Sequence, residues 1–241
     1  MTHPAPLQLP PNVRQHLYAD EAQNALALAA MVADALREGL SARGAAVLFV
    51  SGGRTPVAFF EALSGAALDW SRVTVSLVDD RWVAADDVDS NERLARRHLL
   101  RGAAAAARFQ PLVDIRLTPE QHLAAAEQAL ALLPHPYDAV ILGMGDDGHT
   151  ASLFPGAPET AAALDVRRPQ RLAAVTPPSA PHRRISLTLR ALLDTRLLAI
   201  QIEGEGKRAA IELAAHSVPA QHPIAAVLRQ DAVPVQVFYN P

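Results

Sequence analysis

Apolar residues recur along this chain in two rhythms, and the rhythm changes at glycine and proline. From Asp20 to about Arg43 they fall at helical spacing, through Leu26, Met31, Leu36 and Leu40, with Asp20 three residues before Gln23 as a cap. Ala45–Val50 is a short apolar run that stops at Ser51-Gly52-Gly53, which predicts a buried strand entering a turn. Thr55-Pro56 opens a helix to about Leu63, since proline suits a first helical turn. Val73–Val78 is a second buried strand, ending at Asp79-Asp80-Arg81. Ser90 caps a helix to about Arg101, and Thr118-Pro119-Glu120 starts another that ends near Leu133. Ala139–Leu142 is a third apolar strand, broken by Gly143-Met144-Gly145. Strands are predicted at 172–176, 185–189, 197–202 and 233–239, with a helix from about Gly206. Apolar strands alternating with amphipathic helices imply an α/β fold, an open and mainly parallel sheet with helices on both faces. The proline-rich stretches at Pro134–Pro136 and Pro177–Pro181 read as loops, so one domain is expected over residues 1–241.

Ligands of such sheets sit beyond the carboxyl ends of the strands. Three polar segments fall there. In Ser51-Gly52-Gly53-Arg54-Thr55, the glycines let backbone approach an anion, the following helix aims its free amides at the same point, and Ser51 and Thr55 add hydroxyls. A plain tight turn is the competing reading. In Asp79-Asp80-Arg81 the carboxylate of Asp79 suits a sugar hydroxyl or a water, and Arg81 suits a phosphate, against the alternative of a solvated acidic loop. The third segment runs from Leu142 to Pro155. Its glycines satisfy G-x-G-x-x-G, yet the third glycine follows two aspartates and precedes a histidine, in mid-chain, which argues against a dinucleotide site. A loop that presents His149 as a base, with Asp147 to orient it or the substrate, fits better.

Composition narrows the choice of partner. Half of the 241 residues are hydrophobic and the formal net charge is -3, which does not suit a nucleic-acid binder. The absence of cysteine removes disulfides, thiolate nucleophiles and thiolate zinc sites. Met1 to Pro6 lacks the pattern of a secretion signal, and no run of about 18 apolar residues would span a membrane, so a cytoplasmic protein is expected, as a monomer or small homo-oligomer. Asp86, Asp87 and Asp89 lack the order of a calcium loop, and no histidine spacing forms a metal motif. Arg93, Arg96, Arg97 and Arg101 read as a solvated helix face.

The segment LGMGDDGHTASLFPG, Leu142 to Gly156, resembles the hallmark of bacterial 6-phosphogluconolactonases. Ser51-Gly52-Gly53 with Thr55-Pro56, Asp79-Asp80-Arg81, Ser90-Asn91, Arg184-Ile185-Ser186-Leu187-Thr188 and Gly204-Glu205-Gly206-Lys207 follow in the family's order, over roughly residues 45 to 210. The resemblance implies a Rossmann-like sheet related to glucosamine-6-phosphate deaminases and ribose-5-phosphate isomerases. It implies hydrolysis of 6-phospho-D-glucono-1,5-lactone to 6-phospho-D-gluconate in the oxidative pentose phosphate pathway, without metal or organic cofactor. His149 would activate water, with Asp147 or Asp79 holding the imidazole or a ring hydroxyl, and amides of the Gly143–Gly148 loop, Gly145 among them, would face the substrate. Gly52, Gly53, Arg54, Arg81, Arg184 and Lys207 would bind the phosphate. Arg54 and Asp80 depart from the family pattern, where a small residue and a glutamate are usual. Two rivals are weighed. The related deaminases carry a glutamate five residues after the loop histidine, where Phe154 stands here. A non-catalytic sugar-phosphate sensor would need a DNA-binding segment for which no length is spare.

Overall fold

The computed structural model describes residues 4–178 and 180–241. Met1 to His3, on which part of the signal-sequence reading rests, and Ser179, inside the Pro177–Pro181 loop, lie outside the described residues. The chain runs β1 (Val13–Leu17), α1 (Glu21–Arg43), β2 (Ala46–Val50), α2 (Pro56–Ser64), β3 (Val73–Leu77), β4 (Asp79–Arg81), α3 (Asn91–His98), β5 (Arg108–Phe109) and α4 (Pro119–Ala131). It continues with β6 (Tyr137–Leu142), α5 (Thr160–Ala163), β7 (Leu172–Val175), β8 (Arg184–Leu187), α6 (Leu189–Leu193), β9 (Thr195–Glu203), α7 (Glu205–His216), α8 (Ile224–Arg229) and β10 (Val235–Asn240).

Local chemistry explains the helix boundaries. The Asp20 carboxylate accepts the Gln23 amide at the start of α1, and Gly44 closes the helix in the left-handed conformation. Leu28, Val32 and Leu36 make its inner stripe and are fully buried, which stabilises by roughly 1.5–3 kcal/mol each. Thr118 and Gln121 form a reciprocal capping box on α4.

Seven strands form one parallel sheet in the order β1-β10-β9-β6-β2-β3-β5. Every residue of β2 and β6 is buried, as expected when both faces of a parallel sheet are covered. From β2 the chain winds outward through β3 to β5, whereas from β6 it winds the other way through β9 to β10. The order therefore reverses between β2 and β6. At such a reversal the connecting loops part and leave a crevice. Val50 is level with Leu77 and with Ile141, and Leu142 with Ile200, so the ends of β2, β3, β6 and β9 open on one edge.

Two predicted strands belong elsewhere. β7 and β8 pair antiparallel with each other, and β8 with β4, in a separate three-stranded sheet of order β4-β8-β7. Asp79-Asp80-Arg81, expected as the polar end of the second buried strand, is the short third member. The Leu187 amide donates to the Val78 carbonyl, which moors this sheet to the end of β3.

Candidate active site

A cleft of about 410 Å³ opens at the reversal point, lined by the turns after β2, β3, β6 and β9 and by the small sheet. It gathers Ser51, Gly52, Gly53, Arg54, Thr55, Asp79, Arg81, Gly145, His149, Arg184 and Lys207. Asp147 stands behind His149.

The two strand ends at the centre are tied together, since the Ser51 hydroxyl accepts the Gly143 amide at 2.9 Å and the Thr150 hydroxyl donates to the Gly143 carbonyl at 2.9 Å. The loop beyond folds back on itself. The Gly145 amide donates to the His149 carbonyl, and the Gly148 amide to the Gly145 carbonyl. All three glycine amides of this loop are thus already bonded within the protein. These three amides are therefore not free to meet an oxyanion, which narrows the sequence expectation for the Gly143–Gly148 stretch to its other amides. The function of Gly145 is spatial: a Cβ there would lie 2.1 Å from His149 Nδ1 and 2.6 Å from Asp147 Oδ1.

His149 Nδ1 lies 2.6 Å from Asp147 Oδ1, and the same carboxylate oxygen accepts the His149 amide. The imidazole's hydrogen bond holds the Asp147 carboxyl below its ordinary range, against the opposing effect of partial burial. A carboxylate at Nδ1 fixes the proton there and leaves Nε2 with its lone pair. Nε2 makes no hydrogen bond to a described residue, and the ring stacks on Phe154 at 4.2 Å. Of the two carboxylates proposed to hold the imidazole, Asp147 does so; Asp79 instead accepts the Ser152 hydroxyl at 2.5 Å and takes the Asn91 carboxamide on its carbonyl.

Opposite register positions of β4 and β8 bring Arg81 and Arg184 side by side. Arg81 donates to the Asp89 carbonyl, and Arg184 to the Pro181 carbonyl. Neither guanidinium has a carboxylate partner among the described residues, and the Nε of each is buried without any. Arg184 is only 5% exposed. Burial, and then the neighbouring charge of Arg81, push its pKa down, so the site crowds two cations on one wall of the cleft. Thr55 begins α2 without a side-chain cap bond, which leaves its hydroxyl for the cleft. Gly53, at φ +99°, makes the turn that turns the loop towards α2. Arg54 is exposed at the rim, and Lys207, near the start of α7, pairs with Asp146 at 2.7 Å.

Lys207, expected at the phosphate, is also the only lysine in the chain. Two features escaped the sequence reading. Phe154 supports the His149 ring and also carries the Arg184 guanidinium 5.7 Å over its face. Asp80, whose role was obscure, is buried and receives the amides of Arg81, Asn91 and Glu92, so it caps α3 from below the cleft. Burial raises its pKa to about 6 against the pull of those amides. Among the described residues no cluster of three or more histidines and carboxylates could hold a metal, and no helix is long and apolar enough to cross a membrane.

A histidine–carboxylate pair facing unpaired arginines at the reversal point of a parallel sheet defines an α/β enzyme with an anion-binding cleft. A family model described as glucosamine-6-phosphate isomerases/6-phosphogluconolactonase matches residues 19–236. The chain is 44% identical over 236 residues to a 6-phosphogluconolactonase of Pseudomonas aeruginosa, spanning 98% of each. It is 43% identical to one of Pseudomonas putida, over 98% of this chain and 96% of that one. The crystal structure of a 6-phosphogluconolactonase from Shewanella baltica aligns with a TM-score of 0.92 at 38% identity, covering 98% of this chain and all of that one. The chain belongs to the glucosamine-6-phosphate isomerase/6-phosphogluconolactonase family.

Proposed function

We propose that this protein hydrolyses 6-phospho-D-glucono-1,5-lactone to 6-phospho-D-gluconate, with water activated by His149. The observation that carries the reading is the His149–Asp147 pair on the wall of the same cleft that Arg81 and Arg184 line without a counter-ion. The lactone's phosphate supplies the missing anion, and its neutral ring reaches towards the imidazole. Binding a remote phosphate positions the reacting carbonyl, an effect realised as rate when the ring is held for attack.

In the reaction, Nε2 of His149 takes a proton from water as its oxygen bonds to C1. Asp147 stabilises the imidazolium that forms. The C1–O5 bond then breaks, the proton passes from His149 to O5, and the open-chain acid leaves. A δ-lactone is an activated ester, so no covalent nucleophile is needed, and the only co-reactant is water. Phe154 favours this over deamination: an apolar ring stacked on the base offers no second acid for opening an amino-sugar ring. The same reading assigns the protein to the oxidative pentose phosphate pathway in the cytoplasm.

The test is proton release from the phosphorylated lactone, followed in weak buffer against the spontaneous rate. The purified chain is expected to exceed that rate by orders of magnitude, and to leave glucosamine 6-phosphate without ammonia release. Ammonia without lactone hydrolysis would overturn the assignment.

A further inference from the structure

One polar side chain in the cleft has no task in the account above. Gln201 lies near the end of β9, between the buried Ile200 and Ile202. It is 4% exposed, and it lines the cleft together with Ile202 and Lys207. Its Oε1 is sealed from solvent without a hydrogen-bond partner, and its Nε2 donates to no described residue. A carboxamide oxygen buried without a partner destabilises a fold, and a leucine or methionine would fill the position without that penalty.

The chemistry of the surroundings narrows what the amide meets. Cations already meet the needs of a phosphate: Arg81 and Arg184 on the small sheet, Lys207 after β9. A carboxamide adds no charge, and its NH2 suits a neutral oxygen. Asn91, the other carboxamide of the cleft, is already committed to the Asp79 carbonyl. Gln201 is therefore the neutral donor left free on the β9 flank, on the far side of β6 from Ser51 and Asn91.

We propose that Gln201 reads a ring hydroxyl of the sugar lactone, and so sets which hydroxylated lactones the cleft accepts. The inference rests on the lactonase reading and adds to it a group that touches substrate. A site built to hydrogen-bond a hydroxyl discriminates strongly against the analogue that lacks it, because its own polar group is then left unpaired.

The test compares wild type with Gln201→Met, which keeps length and volume, and Gln201→Leu as a second apolar variant. Each is assayed for kcat/KM on 6-phospho-D-glucono-1,5-lactone and on its 2-deoxy, 3-deoxy and 4-deoxy counterparts, and for Tm. Wild type is expected to prefer the parent over one deoxy lactone by about ten- to a hundredfold. The variants are expected to lose a similar factor on the parent, to treat that pair of lactones alike, and to melt no lower than wild type. Variants that retain the preference, or that melt lower with the preference intact, would show a structural amide and overturn the proposal. A wild type inactive on the parent lactone would remove the lactonase reading and this inference with it. An active wild type beside equally selective variants would remove this inference alone.

Discussion

Gly145→Ala isolates the geometry of the base from the stability of the fold. A Cβ at this position would fall 2.1 Å from His149 Nδ1, 2.2 Å from Cε1 and 2.6 Å from Asp147 Oδ1. Ordinary contact requires about 3.4 Å, so imidazole and carboxylate must each retreat by roughly 1 Å, and their 2.6 Å hydrogen bond cannot survive in its present form. A displacement of that size in a catalytic group costs on the order of a hundredfold in rate. The fold loses little, because both side chains reach solvent and can swing outward. Gly143→Ala is the matched control in the same loop: its Cβ would come no nearer than 3.9 Å to Ser51. The assay is kcat on the phosphorylated lactone beside Tm for both variants. We expect Gly145→Ala to lose roughly a hundredfold in kcat with a small change in Tm, and Gly143→Ala to remain near wild type. Equal activity in the two variants would refute the claim that the His149–Asp147 arrangement governs the rate.

Three further outcomes follow from the same geometry. Gly52→Ala sets a Cβ 1.8 Å from the Asn91 carboxamide, which is buried and bonded to Asp79, so a denaturant titration should show a loss of about 1–3 kcal/mol. Arg184→Leu removes a buried cation that has no counter-ion among the described residues; KM for the phosphorylated lactone should rise about ten- to a hundredfold while hydrolysis of unphosphorylated glucono-1,5-lactone is little changed, and a parallel fall in both rates would argue against a phosphate contact. Asp80 has a folded pKa of about 6 against an ordinary 3.8, so the fold resists its ionisation. Well below pH 4 it is protonated in both states and contributes no pH dependence; as pH rises through 4 to 6 the unfolded chain ionises first and stability falls, by on the order of 3 kcal/mol in full. Denaturant melts at pH 4.5 and 6.5 should show that this part of the decline vanishes in Asp80→Asn.

What the sequence disclosed, and what it hid, follows from the range of the forces involved. The buried strands of the parallel sheet are continuous apolar runs, and the glycines that end them are local signals, so β2, β3 and β6 and their turns were legible residue by residue. Edge and short strands carry no such run. β1 reads Val-Arg-Gln-His-Leu with only Val13 buried, and β4 is three polar residues, so neither was foreseen. The strands at β7 and β8 were seen, but nothing in their pattern says that they pair with β4 and not within the main sheet. That pairing is what sets Arg81 beside Arg184.

The site divides in the same way. His149 and Asp147 are two residues apart, and the sequence offered Asp147, alongside Asp79, as the group to hold the imidazole; the structure shows the Asp147 hydrogen bond. Gln201 stands in β9, 52 positions later in the chain, and its buried, unbonded Oε1 is visible only once the strands are assembled. Phe154 was legible as the residue in place of the deaminases' glutamate, but its stacking on His149 was not, because that depends on how the loop closes through the Thr150–Leu153 bridge.

The most direct measurement pairs catalysis with ligand binding in His149→Ala. Calorimetry with 6-phospho-D-gluconate should give a Kd within a few-fold of wild type, since the arginines are untouched, while kcat for the lactone falls by about a hundred- to ten-thousandfold. Undiminished turnover by a folded, product-binding His149→Ala protein would contradict the assignment of this imidazole as the base.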